Sequence, residues 1–250
     1  MMNMPEFGLA RIKTFAKKLT PALPVMMGYL PVGFAYGVLA VNAGLTTGET
    51  IIMSLIVYAG SSQLMAVGFF ALGINPLSII LTTLVVNLRH LLMSASLSPH
   101  MKHWRKFEVA GFCFELTDET FAVHSLRFTG GETAAPPAMA INLVCHSAWV
   151  AGSLLGALAG NLISDVRPFA LDYALPAMFI ALLTLQVRSR LHVWVAALGG
   201  AASLALWGAG LTQWNVILAT VIGATMGAAV ETWHKKKGET RSAAGAGAES

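Results

Sequence analysis

Apolar runs of about twenty residues, set apart by short polar breaks, recur along nearly the whole of this 250-residue chain. They fall at about 21–43, 50–72, 76–97, 138–163, 170–187, 191–210 and 213–231, with a weaker run at 107–127 that contains Glu115, Asp118 and Glu119. A helix needs about 20 apolar residues to cross the hydrocarbon core of a bilayer. Lipid offers no hydrogen-bond partners, so each crossing segment must satisfy its own backbone, and helices do so. The expected fold is therefore all-α, a polytopic integral membrane protein with about 6–8 transmembrane segments, some discontinuous or re-entrant. Composition agrees: 11% of residues are charged, against about 25% in soluble domains. Disorder, a collagen-like fibre, a nucleic-acid-binding surface and an ordinary globular enzyme are excluded.

Basic residues gather at both ends, as Arg11, Lys13, Lys17 and Lys18, then Lys235, Lys236, Lys237 and Arg241. Basic residues flanking apolar spans mark the cytoplasmic side, so both termini are expected there. Eight full crossings would satisfy the ends but place Lys102, Arg105 and Lys106 outside. If 50–72 and 107–127 each enter and leave on one side, that conflict disappears. Residues 1–19, with Leu9, Ile12, Phe15, Ala16 and Leu19 at helical spacing, read as a cytoplasmic amphipathic segment. Residues 20–232 read as the transmembrane domain, and 233–250 as a disordered, basic cytoplasmic tail. The stretch from Pro21 to Ala43 is too long for the core of a secretory signal and reads as a span. Stripes of small residues (Gly33 and Gly37; Gly152, Gly156 and Gly160; Gly223 and Gly227) fit close helix packing or a seam for a partner subunit.

Ionisable groups at mid-bilayer cost about 2.5–3.5 kcal/mol each on insertion scales. Arg89 and His90 lie inside the 76–97 run. Glu115, Asp118 and Glu119 would together cost roughly 7–10 kcal/mol if they faced lipid as ions. They must line a hydrated cavity, pair with Arg89 and Arg127, or lie near the interface. The run Tyr58 to Gln63 sets Gly60, Ser61, Ser62 and Gln63 inside an apolar stretch. Glycine eases local unwinding, and half-helix ends at an unwound point suit the charged ends of a zwitterion. A packing seam with one satisfied glutamine is the alternative. Pro24 and Pro31 make the opening span another candidate discontinuity. A further break is expected at 171–177, where Asp172 reads more readily as a helix cap than as a ligand.

Other chemistries find no footing. Cys113 and Cys145 make no disulfide framework, and the seven histidines show no metal-ligand spacing. There is no His-Glu-x-x-His, no P-loop, no dinucleotide fingerprint and no nucleophile elbow. No cofactor or metal is expected.

Five motifs in this order, Gly28 to Gly37 (GYLPVGFAYG), Ala59 to Leu64 (AGSSQL), Asn87 to His90 (NLRH), Thr117 to Ala122 (TDETFA) and Leu171 to Leu182 (LDYALPAMFIAL), resemble the AzlC family. The likeness runs over roughly residues 20–232. It implies the large subunit of a two-component exporter of valine, leucine and isoleucine in the bacterial cytoplasmic (inner) membrane, paired with a small AzlD-type membrane subunit.

On the residues themselves, the expected activity is secondary active transport, since nothing resembles a nucleotide site. Gly60, Ser61, Ser62 and Gln63, with Asn87 nearby, are expected to cradle the substrate's charged ends. Phe34 and Met65 are expected to receive its branched side chain. Asp118 or Glu119 is expected to take up a coupling proton, with Arg89 and His90 as the basic partners. A passive channel, an intramembrane enzyme and a purely supporting subunit are the rivals.

Overall fold

A computed structural model describes residues 17–162, 189–211 and 218–230, with positions 173, 176, 177, 180, 183, 184, 187, 215 and 232. Most of the amphipathic N-terminal segment, the basic tail, most of the 170–187 span and the break expected at 171–177 with Asp172 lie outside these residues. The described elements are all helical. In chain order they are α1 (Leu23–Asn42), α2 (Thr47–Ile56), α3 (Gly60–Ala71), α4 (Pro76–Leu97), α5 (Lys106–Phe114), α6 (Asp118–Thr129), α7 (Ala135–Gly160), α8 (Arg190–Gly208) and α9 (Leu218–Val230). Among them, Lys17–Asn42, Pro76–Met101, Ala135–Gly160 and Arg190–Gly208 are long and apolar enough to cross a membrane, while Thr47–Ile56 and Leu218–Val230 are shorter apolar helices.

Local chemistry accounts for the boundaries. Thr46 and Glu49 form a reciprocal capping box at the start of α2. Asn75 Oδ1 accepts from the Ser78 amide at 2.9 Å at the start of α4. Prolines open α1, α4 and α7, where the missing N–H would have had no helical partner. α1 runs unbroken through Pro31, so the discontinuity expected in the opening span is absent. Pro24 falls in the first turn, and Pro31 deprives only one carbonyl of its bond, a loss that membrane helices tolerate. The breaks expected in 50–72 and 107–127 are both present, at residues 57–59 and 115–117.

Two compact units divide the chain. The described part of the first holds residues 17–73 and 86–162, and that of the second holds 74–85, 189–211 and 218–230. In the first unit α1 lies directly on α7. A Cβ added to Gly33 would fall 2.8 Å from the Trp149 carbonyl oxygen, and one on Gly152 would fall 2.5 Å from that of Leu30. Gly37 meets the backbone of Ser153 and Ala157, and Gly156 meets that of Phe34, with still less room. Glycine lets the two backbones touch, which is the means of helix association in lipid. In the second unit a Cβ added to Gly227 would fall 3.2 Å from a Val195 methyl of α8. These stripes are accounted for by packing within the chain.

Beside the α1–α7 pair, α5 and α6 fold back as a short hairpin over a core of Met93, Leu97, Met101, Trp104, Phe112, Leu116 and Phe128. Trp104 meets Phe112 edge-on at 5.2 Å and donates its indole N–H to the Thr133 carbonyl at 2.8 Å. That packing carries residues 115–117 to the middle of α7.

Candidate functional site

The first interruption lies between α2 and α3. Tyr58 there has φ of 40°, the one non-glycine residue with positive φ among those described. L-residues avoid this region on steric grounds, at a cost of about 1–3 kcal/mol. Its ring stacks on His146 of α7, with centroids 3.8 Å apart and planes at 22°. The distortion turns the Tyr58 amide to the Met53 carbonyl, leaving the Ser54 carbonyl without a helical donor. His146 Nε2 fills that vacancy at 3.0 Å.

Gln63, fully buried, braces the same gap from α3. Its Oε1 accepts from the Ala59 amide at 3.2 Å and the Trp149 indole at 3.1 Å. Its Nε2 donates to the Ser54 hydroxyl at 3.2 Å, which donates in turn to Ser153 at 2.7 Å. Two donors facing one oxygen settle the orientation of the amide. The interruption falls at 57–59, one turn before the place expected, and Gly60 to Gln63 form the first turn of α3. Gly60 is required by the Trp149 ring, since a Cβ would lie 2.8 Å from its Cη2.

The second interruption holds Glu115, Leu116 and Thr117. Thr117 caps α6 through the Thr120 amide, while the Thr120 hydroxyl accepts the Thr117 amide at 2.9 Å. From α1, the Tyr29 hydroxyl bonds Thr117 and donates to Glu119 at 2.8 Å. Glu115 reaches the other way and meets His146 Nδ1 at 2.9 Å. His146 thus touches both interruptions at once.

Arg89 of α4 joins the first turns of α3 and α6. One terminal nitrogen pairs with Asp118 at 2.8 Å and the other donates to the Ser61 hydroxyl. One turn-face away, Ser62 donates to Asn87 Oδ1 at 2.5 Å. Ala59 supplies no capping side chain to α3, so its first turn keeps the partial positive charge of a helix N-terminus. The buried Nε of Arg89 has no partner. Two helix N-termini and a guanidinium therefore meet two carboxylates in one half-buried place, an arrangement suited to the opposite charges of a zwitterion.

The network also answers what offsets the three acids. Asp118 pairs with Arg89, Glu119 accepts from Tyr29, and Glu115 meets His146. Arg127 takes none of them; it pairs with Glu132 at 2.9 Å and donates to the Lys18 carbonyl. Of the expected site residues, Gly60, Ser61, Ser62, Gln63, Asn87, Arg89, Asp118 and Glu119 are gathered by these contacts. His90 and Met65 are half-buried beside them in sequence. Phe34 lies instead on the glycine seam, its backbone against Gly152 and Gly156. The partners that the sequence left unidentified are Tyr29, Ser54, Tyr58, Thr117, His146, Trp149 and Ser153. For His146 there was a signal, an ionisable side chain in the middle of an apolar run. Among the described residues no group of three or more His, Cys, Asp or Glu is placed to hold a metal.

The family model described as AzlC protein matches residues 24–163. An uncharacterized membrane protein of Archaeoglobus fulgidus is 35% identical over 217 residues, covering 86% of this chain and 94% of its own. The inner membrane protein YgaZ of Escherichia coli is 30% identical, covering 86% and 88%. The branched-chain amino acid transport protein AzlC of Bacillus subtilis is 29% identical over 168 residues, 64% of this chain and 63% of its own. No solved structure matches.

Proposed function

This chain belongs to the AzlC family, a family of membrane transport proteins, and on that premise we propose that it exports branched-chain amino acids from the cytoplasm, driven by a proton gradient. One observation carries the reading: Arg89 ties the uncapped first turn of α3 to the acid-bearing first turn of α6. The substrate carboxylate takes the α3 amides and the guanidinium, whose Nε is unengaged. The ammonium takes Asp118 and Glu119. Ser61, Ser62 and Asn87 line the approach, Gly60 and Gln63 hold the interruption open, and Met65 receives the branched side chain. A proton on Asp118 or Glu119 loosens Arg89 from its pair, and His90 adds a neighbouring base. The likeness to the Bacillus subtilis protein supports the substrate class. The remaining assignments are part of the same proposal: both termini in the cytoplasm, 50–72 and 107–127 entering and leaving on one side of the inner membrane, and a small AzlD-type subunit as partner.

The test loads bacterial cells with a branched-chain dipeptide and follows internal and external valine, leucine and isoleucine. Cells carrying this chain with the small subunit are compared with cells carrying either alone or neither. Faster efflux with both, continuing against an outward excess, is the expected result. Equal efflux in all strains overturns the substrate, and efflux that stops at equal concentrations overturns active transport in favour of a channel.

A further inference from the structure

We infer that His146 and Glu115 hold one exchangeable proton between them, and that its binding and release open and close the contact joining the two interruptions. The inference rests on the transport reading above for its purpose, but on hydrogen-bond geometry for its existence. His146 faces two acceptors. Its Nε2 lies 3.0 Å from the Ser54 carbonyl oxygen, which can only accept, so Nε2 carries a hydrogen. Its Nδ1 lies 2.9 Å from the Glu115 carboxylate. A carboxylate likewise only accepts, and a histidine with hydrogen already on Nε2 offers a bare lone pair at Nδ1. The contact therefore needs one more proton, placed either on Nδ1 as an imidazolium beside a carboxylate or on Glu115 as a carboxylic acid donating to a neutral imidazole. Both descriptions carry the same single proton. Without it two lone pairs face each other at hydrogen-bond distance, and the contact parts.

The surroundings make the pair fit for exchange with conformational change. His146 is buried and Glu115 half-buried, so one end of the contact opens toward the side of the second interruption. Tyr58, in its disfavoured backbone conformation, stacks on the imidazole and also faces Glu115, Glu119 and Cys145. Tyr29 of α1 meets the Tyr58 ring edge-on and holds Glu119, while Asp118 is taken up by Arg89 of α4. Among the described residues no other base is in hydrogen-bond contact with Nδ1. The proton comes from water on one side when the contact forms, stays on the Nδ1···Oε hydrogen bond, and returns to water on the other side when the contact parts. No other bond is made or broken.

Glu115→Gln isolates this proton. A glutamine N–H donates to the bare Nδ1 of a neutral His146, so both hydrogen bonds persist while nothing titrates. Reconstituted with the small subunit in vesicles under a pH gradient of one unit, the wild-type chain is expected to concentrate leucine up to about a hundredfold, the limit for two protons, one on Asp118 or Glu119 and one on this pair. Glu115→Gln is expected to fall to about tenfold, the limit for the remaining proton, with a thermal midpoint close to that of the wild type. The second readout needs no transport. In ¹⁵N-histidine-labelled protein, the signal absent from His146→Asn changes with pH at Nδ1 in the wild type and stays a neutral Nε2–H tautomer throughout in Glu115→Gln. Accumulation by Glu115→Gln equal to that of the wild type, or a His146 signal with the same pH response in both proteins, overturns the inference. Vesicles in which the wild type moves no branched-chain amino acid overturn the transport reading instead, and the histidine signal still decides the proton.

Discussion

Gly156→Ala tests the fold on which every other assignment depends. An alanine Cβ at this position would lie 2.7 Å from the carbonyl carbon of Phe34 and 2.9 Å from its Cα, with the carbonyl oxygen nearer still. Carbon atoms pack at about 3.5–4.0 Å, so the helices must part by at least about 0.8 Å at their closest point. A gap of that size forfeits about a quarter to a half of the dispersion energy of every atom pair along the seam. No side chain can rotate away, because both sides of the contact are backbone. The expected destabilisation is at the upper end of the range for overpacking, about 2–3 kcal/mol. Gly28→Ala is the control, since Gly28 lies on α1 with nothing within 4 Å of its added Cβ. It should be neutral or favourable by up to about 1 kcal/mol from helix propensity. Thermal unfolding of detergent-solubilised protein, followed by tryptophan fluorescence, measures the difference. Equal midpoints for Gly156→Ala and Gly28→Ala would refute the close approach of α1 and α7.

The first interruption makes a sharper demand on one ring. Gly60→Ala should lower transport strongly through its clash with Trp149, and adding Trp149→Phe should restore part of the rate by removing the offending ring carbons; a double variant no better than Gly60→Ala would count against the contact. Arg89→Lys keeps the charge but cannot serve Asp118 and Ser61 together. Its loss of one charge-assisted bond, about 1.5–3 kcal/mol, should raise the half-saturating leucine concentration roughly 10–150-fold, and an unchanged value would remove Arg89 from substrate binding. Thr117→Val deletes both the α6 cap and the bond to Tyr29, so a loss of about 1–2 kcal/mol in unfolding is expected, with Thr117→Ser close to wild type; equal losses would show that the methyl group rather than the hydroxyl matters.

The membrane class and most span positions were legible because apolar periodicity over twenty residues has few other meanings. Both interruptions were legible as well, since Gly60 to Gln63 and the three acids are out of place in lipid. Their positions were not. Tyr58 takes a left-handed backbone that no local propensity favours, and its ring contacts there, with His146 and Tyr29, come from residues far along the chain. The proline-rich opening misled for the opposite reason. Pro24 sits where a helix needs no N–H, and α1 is buttressed along its length by α7. The pairing of Arg89 with an acid could be anticipated from charge alone. That Asp118 is the partner, and that Glu115 goes to a histidine, depends on how the α5–α6 hairpin folds over Trp104 and Phe112.

The glycine seam also limits how this protein can move. Two backbones in contact every fourth residue mesh like a rack, and sliding one past the other means climbing over carbonyl oxygens to the next notch, about 6 Å away at about 1.5 Å per residue. Small sliding adjustments are therefore unavailable to α1 and α7, which act as a fixed post. Motion in the first unit is left to the hinged pieces around that post, and they pivot where the chain has already given up its helical bonds.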